Sequence, residues 1–366
     1  MTDYTPIIEG DRYCVMCRHA CPVERVTKRE ANSPHGWALL VASVGRGLLQ
    51  WEAEPVDTLY QCADCGLCQA NCATDRPLPA ALVAARAGVV AEGAHPATVS
   101  DVDSRLRQWG NPYGPGPEVD LPPDMTPSTQ RIGLFVGAGS QQHRPQAVAA
   151  ARALLRAAGD DPWLLSAGRS GVYLPYTLGL WDTARQIAAD TLAEIAAAGV
   201  THILTLSKED AHAFHHLYPE LGIALPDGLE IEEFTLWLGA QIADGRLRVR
   251  AQDRGRVVYH DPSHTPRLMQ TGSPARQIVT ALTGTPPGEL FWRGKGAAPS
   301  GVVGGFPFTQ PALAARLSQA RIADARRAGA DWLVTDDPQD AAHLAAHADG
   351  LPVTTLVEWA AEQLET

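Results

Sequence analysis

The stretch Cys62-Ala63-Asp64-Cys65-Gly66-Leu67-Cys68-Gln69-Ala70-Asn71-Cys72 spaces its thiols as C-x2-C-x2-C-x3-C. This is the spacing that presents three thiolates to one iron–sulfur cubane and hands the fourth to the neighbouring cluster of a two-cluster unit. A structural zinc site, which needs only four thiolates in two C-x2-C pairs, is the competing reading. Upstream, Cys14-x2-Cys17-x3-Cys21-Pro22 supplies the second, third and fourth positions of the same pattern, and the first position falls on Asp11. Crossed ligation then gives cluster II Cys62, Cys65, Cys68 and Cys21. Cluster I takes Cys14, Cys17 and Cys72, with Asp11, an outside ligand or no ligand at its fourth iron. A carboxylate is a harder ligand than a thiolate. Cluster II is therefore expected as [4Fe–4S], and cluster I as [4Fe–4S] or, with one iron lost, [3Fe–4S]. Asp11 has a plain alternative as a solvated surface acid.

The chain has 366 residues, and its seven cysteines all lie between Cys14 and Cys72. An odd number confined to one end of a long chain does not describe a disulfide framework and points to the cytoplasm. The length leads us to expect two or three domains, at about 150 residues each. Hydrophobic residues are 45% and charged residues 19%, a globular balance. The net charge of -11 disfavours a nucleic-acid binder and contact with an anionic membrane. The best apolar run, Trp37 to Leu49, is broken by Arg46, so no transmembrane segment is expected. The start of the chain lacks the basic-then-apolar pattern of a signal peptide.

Four regions follow. Residues 1–95 read as a mainly helical, two-cluster, ferredoxin-like domain. Residues 96–130 read as a Pro/Gly-rich linker, densest at Gly110-Asn111-Pro112-Tyr113-Gly114-Pro115-Gly116-Pro117. Beyond it, short apolar strands alternate with alanine-rich helices, the rhythm of a parallel sheet covered by helices. That rhythm recurs. Ala197-Ala198-Gly199 leading into His202-Ile203-Leu204-Thr205 is echoed by Arg327-Ala328-Gly329 leading into Trp332-Leu333-Val334-Thr335. The expected fold is thus the helical domain followed by an α/β domain made of two duplicated βαβ-type repeats, 131–250 and 255–366.

The cysteine groups, together with Ser33-Pro34-His35-Gly36-Trp37-Ala38-Leu39, resemble the ferredoxin type at the front of heterodisulfide-reductase-like proteins, such as the glycolate oxidase iron–sulfur subunit. Asn111-Pro112-Tyr113-Gly114 is similar to their linker, and the duplicated half resembles their paired cysteine-rich domain. The resemblance implies an electron-transfer subunit, itself without a catalytic site. It would relay electrons between a partner carrying flavin (a flavin-dependent dehydrogenase or an electron-transfer flavoprotein) and a second carrier, with the C-terminal domain as docking scaffold. The departures matter equally. The family's C-terminal cysteines correspond here to Ala138, Ser166, Ser207, Asp210, Ser263, Asp337 and Asp340. Without those thiolates the resemblance implies neither a third cluster nor disulfide-reductase chemistry.

Two other functions compete. In one, the chain itself binds a flavin or substrate in the cleft between repeats. In the other, it is a structural or assembly subunit with a vestigial cluster. Minor constellations carry less. Gly137-Ala138-Gly139 lacks the third glycine of a dinucleotide loop. His212, His215 and His216, and His260 with His264, lack a companion carboxylate at a convincing spacing. The glycine-rich 295–305 stretch reads as a loop at the repeat interface. No Gly-x-Ser-x-Gly elbow appears. The nine tryptophans read as core.

Overall fold

The computed structural model describes residues 3–116, 132–263, 267 and 274–365. Most of the Pro/Gly-rich stretch beyond Gly116, Arg131 of the first repeat and His264 therefore lie outside the described residues.

The first region is helical: α1 Thr5–Asp11, α2 Pro22–Thr27, α3 Pro34–Gly45, α4 Ala53–Tyr60, α5 Leu67–Ala70, α6 Leu78–Ala91 and α7 Ala97–Trp109. Punctuation sets several of these ends. Pro22 and Pro34 occupy first-turn positions where no amide hydrogen is needed. Ser33 caps α3 by accepting from the Gly36 amide at 3.1 Å. The helix α7 is a difference from the sequence reading, which assigns all of 96–130 to a linker. Its Val99, Val102 and Leu106 recur at helical spacing and are buried, so the segment is an amphipathic helix ended by Gly110 in a left-handed conformation.

The second region carries two four-stranded parallel sheets. In the first, the chain runs β1 Ile132–Phe135, α8 Ala138–His143, α9 Pro145–Ala157, β2 Trp163–Leu165, α10 Tyr173–Thr177, α11 Trp181–Ala198 and β3 His202–Thr205. It continues through α12 Lys208–His212, α13 Tyr218–Glu220, β4 Glu230–Glu233 and α14 Phe234–Ala243. The second sheet contains β5 Val257–His260, α15 Ala275–Thr283, β6 Gly288–Glu289, α16 Phe306–Thr309, α17 Pro311–Arg327, β7 Trp332–Thr335, α18 Pro338–Ala346, β8 Val353–Thr355 and α19 Leu356–Glu362. The sheet orders are β2-β1-β3-β4 and β6-β5-β7-β8, the same topology twice. The echoed segments fall on equivalent strands, β3 and β7, each paired to the first strand of its own sheet. Apolar, buried central strands are what helix-covered parallel sheets require.

Besides a smaller cluster within the second repeat around Val258, Ile322, Leu333 and Leu344, two cores join the parts of the molecule. One joins the helical region to the first repeat, running from Val23, Trp37, Leu59 and Leu82 to Phe135, Leu178, Ile203 and Phe214. The other lies between the repeats, with Leu134, Leu204, Phe234, Tyr259, Val334 and Trp359. Polar ties cross the same boundaries. Arg144 donates from both Nε and Nη2 to Glu358, which also completes the capping box of α19. Lys208 is fully buried, and its Nζ lies 2.6 Å from Glu233 Oε2 and 2.9 Å from Asp336 Oδ2, so one cation holds an acid from each sheet. Replacing it leaves two buried carboxylates without their counter-charge. The Lys208→Met variant is expected to lose about 3–5 kcal/mol of stability, read as a fall in the midpoint of thermal or denaturant unfolding. A midpoint unchanged from the parent would show that the pair adds nothing net.

Candidate iron–sulfur site

The cysteines sit on three short segments. Cys14 and Cys17 lie on the turn after α1, and Cys21 is the residue before α2, with extended backbone. Cys62 and Cys65 lie on the loop after α4. Gly66, at φ +71°, then turns the chain into α5, which carries Cys68. Cys72 follows α5. Asp64 also adopts a left-handed conformation, at φ 50°, and its amide points at Cys62 Sγ, 3.5 Å away.

The structure brings these thiols together in the crossed order. Cys21, Cys62, Cys65 and Cys68 line one cavity, closed by Pro22, Pro34, Trp37 and Pro79. Burial pushes the Cys62 thiol up to about 12. It raises Cys68 as well, and there Cys62, Cys65, Cys21 and Cys17 push the same way. Cys17 is pushed up to about 11, chiefly by burial, with Asp11, Cys14 and Cys72 as its charged neighbours. Cys72 thus sits with the first cysteine group and Cys21 with the second. The two groups adjoin at Cys17 and Cys68.

Asp11 is buried rather than solvated. Arg76 Nε lies 3.6 Å from its Oδ1, while Oδ2 is buried without a hydrogen-bond partner. Burial raises its pKa more than Arg76 lowers it. Among the described residues, no three His, Cys, Asp or Glu side chains converge tightly enough to hold a single metal ion. The donor set suits a cluster nonetheless: soft sulfur donors line a cavity, their thiol forms favoured only while no cation shares the site.

Several residues of the site carried no motif. Pro34, Trp37 and Pro79 wall the cavity. Arg86 is 1% exposed, yet stands alone in the otherwise apolar helix α6. A lone charge inside an apolar helix is a readable signal of a buried polar role. The glycine-rich stretch packs on the cysteine loop. A Cβ at Gly304 would come within 2.7 Å of Ala63 O. The Gly304 amide donates to Tyr173 Oη at 3.1 Å, and that hydroxyl donates to Asp64 at 3.5 Å.

Of the C-terminal positions noted for lacking a cysteine, three lie together away from the thiols, while Ser166 lines a separate cavity beside Trp109 and Arg169. Ala138, Ser207 and Asp210 line a cavity of about 380 Å³ between the repeats, walled by Tyr113, Tyr173 and Phe308. Asp337 accepts from the Lys208 amide at 3.0 Å, and Asp340 lies 3.5 Å from His260 Nε2. Burial raises Glu209, and pushes Asp210 and Asp337 up to about 7. The Gly137-Ala138-Gly139 turn faces Asp210, whose Oδ2 would be 2.9 Å from a Cβ at Gly137. A carboxylate there opposes a phosphate. His212 and His216 share a face, their rings 4.9 Å apart. Burial holds His212 neutral, down to about 3.

No family model matches the chain. It is 28% identical over 330 residues to a Chromohalobacter salexigens protein named "probable membrane-anchored ferredoxin", covering 86% of this chain and 48% of that one. The chain thus spans about half the length of that relative. It is 25% identical over 296 residues to a subunit of the dihydromethanophenazine:CoB–CoM heterodisulfide reductase of Methanosarcina acetivorans, covering 77% of this chain and 71% of the relative. The heterodisulfide reductase subunit of the same name from Methanosarcina barkeri is 24% identical over 315 residues, covering 82% of this chain and 76% of the relative. A hypothetical protein from Helicobacter pylori shares the fold, with a TM-score of 0.59, 12% identity and coverage of 98% of this chain and 75% of that one. These relatives are thus named as a probable ferredoxin and as heterodisulfide reductase subunits, at low identity. Among the described residues no helix is long and apolar enough to cross a membrane.

The buried acids generate a pH prediction. A carboxyl whose folded pKa is raised binds more protons folded than unfolded, so stability falls as pH rises from about 4 through about 7. For Asp210 the cost reaches up to about 4 kcal/mol at pH 8. Asp210→Asn is therefore expected to raise the melting temperature above the parent's at pH 8, with the gap closing towards pH 4. Parallel melting curves across that range would refute the assignment.

Proposed function

We propose that the chain is an iron–sulfur electron-transfer subunit holding two clusters, which relays electrons between a flavoprotein and a second carrier. The observation that carries this reading is the interleaving of the two cysteine groups, with Cys21 beside Cys62, Cys65 and Cys68, and Cys72 beside Cys14 and Cys17. The relatives named as a ferredoxin and as reductase subunits support it. The clusters, when bound, supply one-electron chemistry. The chain's residues do the rest. Cys21, Cys62, Cys65 and Cys68 hold cluster II in a buried cavity behind Trp37 and three prolines. Cys14, Cys17 and Cys72 hold cluster I, and Asp11 Oδ2, buried and without a hydrogen-bond partner, is its fourth donor. Cys14 is exposed and flanked by exposed Tyr13, Val15 and Met16, so electrons exchange with the partner at cluster I. The flavoprotein partner rests on the resemblance of the cysteine motifs and the linker.

The cavity between the repeats favours a second reading, in which the chain itself binds a small substrate there. A stoichiometric organic chromophore or substrate copurifying with the isolated chain would favour it.

The test is the iron and acid-labile sulfide content of the anaerobically purified chain, with low-temperature EPR. About eight irons is the expected result, falling to about seven in Asp11→Ala with a new signal from the oxidised protein, and restored in Asp11→Cys. About seven in the parent with that signal would remove Asp11 from the ligand set, and zinc in place of iron would sink the reading.

A further inference from the structure

Arg86 is a buried cation without a carboxylate at ion-pair distance among the described residues. Its Nη1 donates to Thr177 O at 2.9 Å, and its Nη2 to Leu59 O at 3.3 Å and to Cys62 O at 2.5 Å. Its guanidinium lies over the Tyr60 ring, 4.9 Å from the centroid. Nε is buried with no partner. Carbonyls and a ring orient this charge but do not balance it, and an unbalanced buried cation is costly. Asp64, the partly buried acid nearby, is occupied by the Tyr173 hydroxyl, which donates to it at 3.5 Å.

A second guanidinium approaches from the second repeat. Arg267 Nη1 is held by Ala297 O at 2.5 Å. Its Nε and Nη2 are buried and have no hydrogen-bond partner. That Nε lies 3.6 Å from where a Cβ of Gly66 would be, and its charge acts on Cys65 and Cys68. Gly66 therefore leaves room for Arg267 against the cysteine loop. Two cations thus flank the four-thiol cavity, one reaching it through the Cys62 peptide and one across Gly66.

We infer that Arg86 and Arg267 are the counter-ions of the four-cysteine cluster, and that they set its midpoint potential by favouring its more negative, reduced state. The inference rests on the proposed two-cluster reading. Four thiolates around a cubane leave a net negative charge that grows by one on reduction, so nearby positive charge and N–H donors raise the potential. Both arginines act through the ligands and are positioning residues. Since Arg86 also holds Thr177 O of the first repeat, and Arg267 comes from the second, the C-terminal half governs the potential without a ligand of its own.

The experiment is an EPR-monitored redox titration of the full chain, with iron and sulfide counted for each sample. Arg86→Gln and Arg267→Gln are each expected to move the four-cysteine midpoint to more negative potential. Arg86→Lys and Arg267→Lys should recover most of the shift, while the three-cysteine cluster serves as internal reference. Should Arg86→Gln fail to fold, Arg267→Gln decides the question, since Arg267 is only partly buried whereas Arg86 is 1% exposed. Fully loaded neutral variants with the parent's midpoint would overturn this inference alone. A parent without iron would instead overturn the two-cluster reading on which it stands.

Discussion

Removing thiols from water is costly for the thiolate form, and the rest of this structure is arranged around that constraint. Four cysteines line a cavity behind proline and tryptophan, where burial drives their protons on and mutual repulsion reinforces it. Such a cavity has a purpose only if a cation displaces the protons. Its walls come from separate segments. The α2 start gives Cys21, the α3 start gives Pro34 and Trp37, and α6 gives Pro79. The Trp37 indole fastens these walls to α4, the helix that leads into the cysteine loop, by donating to Thr58 O at 2.8 Å. A local ligand motif therefore depends on long-range packing for its dryness.

The C-terminal repeats supply the outer half of that packing. Tyr60 donates to Leu178 O at 2.9 Å, deep in the shared core. A Cβ at Gly179 would lie 2.6 Å from the Arg86 carbonyl carbon, so α6 presses directly on the loop after α10. Gly179 and Gly304 serve one end, the close approach of repeat backbone to the helical region. This explains how a duplicated scaffold with no cysteine of its own stays bound to the chemistry. At the ends of its strands it holds Ser207, Asp210, Asp337 and Asp340: the Asp210 amide donates to Ser207 Oγ, the Asp340 amide to Asp337 Oδ1 and the Lys208 amide to Asp337 Oδ2.

The two cysteine groups, which the structure brings together, were legible in the sequence because their spacing is local. C-x2-C-x2-C-x3-C states which thiols share a loop, and the shorter first group states which one is missing. The repeats were legible because strand, cap and helix recur in the same order at Gly199 and Gly329. Arg267 and Tyr173 were not, because their partners lie tens of residues away or more and follow no spacing rule, and Arg86 showed only as a lone charge in an apolar helix, its partners unreadable. Asp11 was half legible. Its place in the motif was readable, but its burial depends on Arg76 and on the packing of α1 against α3 and α6. Helix α7 was hidden by the prolines and glycines at its two ends, although Val99, Val102 and Leu106 carried its period.

The two cysteine groups differ in a way that would give the proposed relay a direction in space. The four-cysteine group is enclosed, while Cys14 of the three-cysteine group is open to solvent among exposed Tyr13, Val15 and Met16. Burial strengthens every electrostatic contact made inside it. A cluster in the enclosed group would therefore respond to fixed charges such as Arg86, and one in the open group would respond more to solvent and to a docked partner. A site that must accept varied encounters and a site that must keep a constant potential make opposite demands on the dielectric around them. Crossing Cys21 and Cys72 between the groups lets one small helical fold meet both demands a few residues apart, with Cys17 and Cys68 at the seam.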